Sequence, residues 1–147
     1  MTDLQTAKNN LEGHTICLCK DGKCLFSEKR GIAPMMDFIA DGVDFSGYSV
    51  ADLVVGKATA MLFVKCGIKK VFAKTLSESA KRVLELYGLD YEYEKLTPKI
   101  INRMGTDMCP MEKAVLGTDD VEEAYLILKN QLNTPPSGAS PYPTRNI

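Results

Sequence analysis

The sequence predicts a three-layer α/β/α sandwich, an α/β domain built on a mixed sheet. Three observations carry this. An Asp-Gly pair joins two β-rich runs, HTICLC and CLFSEK, near the start of the chain. Helical and strand patterns then alternate, with cap and stop residues between them. An amphipathic helix closes the pattern before the composition changes. A hairpin supplies antiparallel strands, and strands separated by helices pair in parallel through right-handed crossovers, so the sheet should be mixed.

Each element has a local reason. A short helix is expected over residues 3–10, ending near Gly13. In the hairpin, pairing Lys20 with Lys23 across Asp21-Gly22 sets Cys19 opposite Cys24 and Leu18 opposite Leu25. Both faces read as apolar, so the hairpin should be buried on both sides. A loop and a short helix follow around Pro34. One helix is expected over 49–66, with Gly67 as its stop. IKKVFAK reads as a strand, and the next helix has Ser77 as N-cap and Gly88 at its end. YEYEK reads as a short strand, while residues 99–108 have no clear pattern. A helical turn should follow Pro110 over 111–116. The final helix, over 120–132, aligns Val121, Ala124, Tyr125, Leu128 and Leu132 on one face. The domain should thus span 1–132. Residues 133–147 hold four of the seven prolines, with Ser, Gly and Thr between them, and read as a disordered tail.

Composition excludes some functions. Eighteen Lys and Arg stand against nineteen Asp and Glu, a net charge of −1. Without a basic surplus, counterion release supplies little affinity for nucleic acid. The longest apolar stretch, 53–64, is interrupted by Lys57, and a membrane span needs about 20 apolar residues. The N-terminus has no apolar signal region, and the five cysteines are an odd number. Reduced thiols in a cytoplasmic protein are therefore expected.

Two clusters stand out as candidate chemistry. In the helix expected over 49–66, Ser49 and Asp52 fit a capping pattern. Lys57 falls between Val64 and Met61 on the helical wheel, inside the apolar stripe. A lysine there either snorkels or is held in a pocket with a carboxylate or an anionic ligand. Gly56 beside it costs about 1 kcal/mol in a helix interior, which close approach of a ligand or backbone would justify. The second cluster is Cys109-Pro110-Met111-Glu112. Proline in the first turn places Cys109 at a helix N-terminus, where a thiol pKa falls, and Glu112 suits the macrodipole.

The element order and these motifs resemble the cytidine deaminase-like superfamily, which implies a mixed five-strand-type sheet. Active members hold Zn²⁺ with a His or Cys on one helix and a P-C-x-x-C motif on another, and a Glu moves protons. Matched to that pattern, Val55 falls at the metal ligand and Lys57 at the Glu. Cys109 and Glu112 fall at the two cysteines. Valine cannot bind zinc and an ammonium cannot replace the carboxylate, so neither a metal nor another cofactor is expected there. The segments Arg30-Gly31-Ile32-Ala33-Pro34, Asp52-x-x-Val55-Gly56-Lys57-Ala58 and Met108-Cys109-Pro110-Met111-Glu112 are similar to an uncharacterised microbial family of this fold, domain of unknown function 1893. That resemblance covers about residues 10 to 132 and implies a fold and a site location.

The leading expectation is a metal-free site for a nucleoside, nucleotide or other phosphorylated small ligand, formed by Asp52, Gly56, Lys57, Cys109 and Glu112. One alternative is an enzyme with Cys109 as nucleophile, helped by Lys57, Glu112 or Asp52. Another is a non-catalytic dimerising or regulatory domain, with a homodimer implied by fold analogy. Finally, Cys17, Cys19 and Cys24 share one face of the hairpin near His14, where three soft ligands could converge, although a buried strand also explains the thiols.

Overall fold

A computed structural model describes residues 1–133 except Arg103, so the Pro-rich segment from 134 onward lies outside the described residues. The chain runs α1 (Asp3–Asn9), β1 (Ile16–Lys20), β2 (Lys23–Ser27), α2 (Ala33–Ala40), β3 (Ser49–Val55), α3 (Lys57–Lys65), β4 (Lys70–Ser77), α4 (Glu78–Leu86), β5 (Asp90–Thr97), α5 (Pro110–Ala114) and α6 (Val121–Asn133). The five strands form one mixed sheet in the order β2-β1-β3-β4-β5. β1 is antiparallel to both β2 and β3, while β3, β4 and β5 run parallel.

The hairpin register is the expected one, with Cys19 facing Cys24 and Leu18 facing Leu25. Asp21 and Gly22 have φ of 50° and 84°, the left-handed pair that a two-residue turn needs to follow strand twist. Burial differs from expectation. β1 is buried, but β2 is an edge strand and only partly covered. Its Phe26 is half-exposed against the His14 ring, whose Nδ1 pairs with Glu28.

The larger correction concerns 49–66. Ser49–Val55 is a strand, and the helix begins only at Lys57. Ser49 and Asp52 therefore cap nothing, and Gly56 is the N-cap of α3 rather than a mid-helix residue. The reason is pairing on both sides: Val50 meets Leu18 of β1 and Val71 of β4. A strand buried on both faces loses the polar–apolar alternation that would mark it. The three valines and the following glycine are the signals that favour a strand-to-helix turn.

Alternation along the strands separates two cores. Ile16, Leu18, Val50, Val71 and Ala73 face one side, with residues of α2, α3, α4 and α6. Cys17, Cys19, Ala51 and Phe72 face the other, under Leu4 and Ala7 of α1 and the adjoining Leu11. The layers are thus α/β/α, but one outer layer is a single seven-residue helix. That helix is held by a capping box between Thr2 and Gln5 and by a Lys8–Glu92 ion pair at 3.0 Å to β5.

The remaining helices follow their sequence signals. Ser77 Oγ accepts the Ala80 N–H at 3.0 Å, and Gly88 has a φ of 74° just past the end of α4. Asp120 accepts the N–H groups of Glu122 and Glu123, starting α6. Ala124 and Leu128 are buried, with Val121, Tyr125 and Leu132 packed beside them. Between β5 and α5, Ile101 and Met108 form an isolated bridge. No helix is long and apolar enough to cross a membrane among the described residues. Cys19 and Cys24 form a disulfide, which differs from the reduced pair expected, because directly opposed strand residues bring their Cα atoms within 4.2 Å.

Candidate functional site

The site is centred where β3 ends and α3 begins. The first N–H groups of a helix lack intrahelical acceptors and carry partial positive charge. Here Gly56 offers no side chain to satisfy them. Glu112 does so from α5, two helices away in sequence. Its Oε1 accepts the Lys57 N–H at 2.7 Å and its Oε2 the Ala58 N–H at 2.8 Å. The carboxylate is buried and lies against Gly56. A Cβ at position 56 would sit 2.5 Å from Glu112 Cδ. The glycine thus answers a close approach, although it is not in a helix interior as expected, and the approaching group is a side chain of the chain itself.

Lys57 is buried at the first helical position, consistent with its place away from the solvated face. Its Nζ donates to the Leu116 carbonyl at 3.3 Å and lies 3.2 Å from Asp119 Oδ1. Asp119 also receives both arms of the Arg82 guanidinium, at 2.8 and 3.2 Å. The Tyr87 hydroxyl donates to the Asp119 carbonyl. The segment 115–120 is thereby clamped onto the start of α3 and onto the middle and C-terminal end of α4.

These contacts set the electrostatics. The Arg82 hydrogen bonds, then the Lys57 ammonium, hold the Asp119 carboxyl down to about 2. Burial pushes the Glu112 carboxyl up, against the pull of the Ala58 and Lys57 amides and the Lys57 charge. Two cations, Lys57 and Arg82, thus share the one exposed carboxylate of Asp119, while the Glu112 carboxyl is taken up by backbone amides.

The structure brings Gly56, Lys57 and Glu112 together. It does not add Asp52 to that set by any contact. Asp52 projects from the middle of β3 with Ile16 and Ala73 as its strand partners. Burial pushes its carboxyl up to about 8, opposed by the Val54 and Leu53 amides. Cys109 is the N-cap of α5, which is five residues long. Its N–H donates to the Ile100 carbonyl, and its own carbonyl accepts from Lys113. Its thiol has no hydrogen-bond partner among the described residues. Val55, matched to a metal ligand on a helix, is the last residue of β3.

Arg82, Leu116 and Asp119 were invisible as site residues in the sequence. Arg82 reads as the solvated face of an amphipathic helix, and Asp119 as part of the cap before α6. A shallow depression at the far end of α3, lined by Ile39, Val43, Phe45, Lys65 and Cys66, takes in none of the expected site residues.

Comparison with known proteins follows the fold. A crystal structure of a DUF1893 family protein from Thermotoga maritima superposes with a TM-score of 0.80 at 27% identity, covering 89% of this chain and 91% of that one. A diaminohydroxyphosphoribosylaminopyrimidine deaminase/5-amino-6-(5-phosphoribosylamino)uracil reductase from the same organism gives a TM-score of 0.44 at 12% identity, covering 61% of this chain and 34% of that one. So distant a likeness carries no argument about activity. No curated protein matches the chain. The family described as a domain of unknown function, DUF1893, matches residues 6–132, and the chain belongs to it.

Proposed function

We propose that this chain is a non-catalytic module whose deaminase-like site position has become an internal lock. The observation that carries this reading is Glu112 with both oxygens on the first α3 amides, in the place an anionic ligand would take. Lys57, the other group suited to an anion, is engaged by Asp119 and the Leu116 carbonyl. A double-mutant cycle tests the lock. Gly56→Ala and Glu112→Ala should each lower the unfolding midpoint, and the double variant should cost far less than their sum. Wild-type protein should bind neither phosphate nor cytidine monophosphate in calorimetry. Additive losses, or stoichiometric nucleotide binding by the wild type, would sink the reading.

A second reading keeps the ligand-binding expectation near Lys57 and Cys109. It is favoured by the burial that pushes the Glu112 carboxyl up, so that an incoming anion competes with a carboxylate under strain of desolvation. In that case Glu112→Ala gains affinity for cytidine monophosphate and Lys57→Ala loses it. An enzyme using Cys109 would need a base to take the thiol proton, and no side chain hydrogen-bonds to that thiol among the described residues.

A further inference from the structure

We infer that the hairpin of β1 and β2, when reduced, is a three-sulfur site beneath α1 for a soft, low-coordinate cation of the copper(I) class. Cys17 and Cys19 point to the same face of β1. Strand rise separates alternate residues by about 6.6 Å along the chain, yet the two sulfurs are 3.5 Å apart. The side chains lean together. Cys24 stands directly across from Cys19, and all three Sγ atoms lie within 4.8 Å of one another. No imidazole or carboxylate joins them among the described residues, because His14 is turned to Glu28.

The surroundings narrow the cation further. Leu4, Ala7, Leu11, Ala51 and Phe72 enclose the sulfurs, and Cys17 and Cys19 are fully buried. That setting offers no oxygen ligands for calcium or magnesium and no fourth ligand for tetrahedral zinc. Copper(I) takes soft sulfur ligands. Here it would use all three of them and enter with no water retained. Cys24, half-buried on the edge strand, is the point of entry. In the oxidised form the Cys19–Cys24 disulfide removes two of the ligands. A thiol or phosphine reductant restores them by supplying two electrons and two protons to the two sulfurs. Loading then releases one proton for each thiol that becomes a thiolate ligand, with no change in the oxidation state of copper(I).

The test uses the full chain, reduced, desalted anaerobically and titrated into the coloured bicinchoninate–copper(I) complex. The reduced protein should withdraw one copper(I) per chain, and the disulfide form none. Cys17→Ser and Cys24→Ser should each weaken retention by at least about tenfold, a loss of the order seen when a metal site is damaged. Cys66→Ser should retain copper fully. Because Cys24 is only half-buried, Cys24→Ser stays informative even if Cys17→Ser fails to fold. Failure of the reduced chain to withdraw copper, undiminished retention by Cys24→Ser, or preferential stoichiometric zinc uptake would each overturn the assignment.

Discussion

The start of α3 and the space beneath α1 are both buried, and both gather residues able to do chemistry. At α3 each charged group has a charged or dipolar partner from another element: Glu112 on the amides, Lys57 and Arg82 on Asp119. Beneath α1 the sulfurs face only one another and apolar side chains. The first region sits in the larger core, walled by α3, α4, α5 and the segment leading to α6. The second is covered by one short helix. The difference teaches that a residue's chemical identity does not make a site by itself. What counts is whether the fold has already satisfied it.

The comparison can be broken most sharply at the lock. Glu112→Ala leaves two buried helix amides without acceptors, and should lower stability by about 4 kcal/mol in urea unfolding. Gly56→Ala should do nearly as much, since its Cβ occupies the carboxylate's place. A loss under about 1 kcal/mol from both would mean that the lock is not a stabilising feature.

A separate test, read against pH rather than as a single loss, is the response of Asp52. An exposed aspartate titrates near 3.9, whereas burial pushes this one up to about 8. Between those values the folded chain keeps a proton that the unfolded chain has lost. Stability from this group is therefore complete below about pH 4 and falls as pH rises, by about 1.4 kcal/mol per unit until pH 8. Asp52→Asn should remove that slope in unfolding curves taken from pH 5 to 8. An unchanged slope in the variant would assign it to another group.

On the thinly covered side, Leu4→Ala should cost about 2–3 kcal/mol and speed the reaction of Cys17 with a thiol reagent. Labelling as slow as in the wild type would show that α1 is not the cover that matters. The smallest effect belongs to Lys57→Met, within about 1 kcal/mol of the wild type, because Asp119 keeps Arg82 and reaches water.

Much of this architecture was legible in the chain. The hairpin register follows from Asp21-Gly22, because a two-residue turn fixes every pair behind it. The helix from Ser77 to Gly88 announces itself through its cap and its stop. The apolar residues around Lys57 place it off the solvated face, but its choice between snorkelling and burial is not legible in the chain. β3 was not legible, since a central strand shows a continuous apolar run that a buried helix shows as well. Its valines favour a strand, and pairing with β1 and β4 on its two edges decides the conformation.

The sequence alone thus determined the hairpin turn, the Ser77 cap and the amphipathic faces, all of which depend on residues within a few positions of one another. Only the tertiary structure decided which group approaches Gly56. Glu112 lies 55 residues from the Lys57 amide it accepts, and Asp119 is brought to both Lys57 and Arg82 by the docking of one segment, 115–120, onto two helices. Pairings over such separations leave no periodic trace in the chain, because they arise from packing of whole elements rather than from local backbone preference.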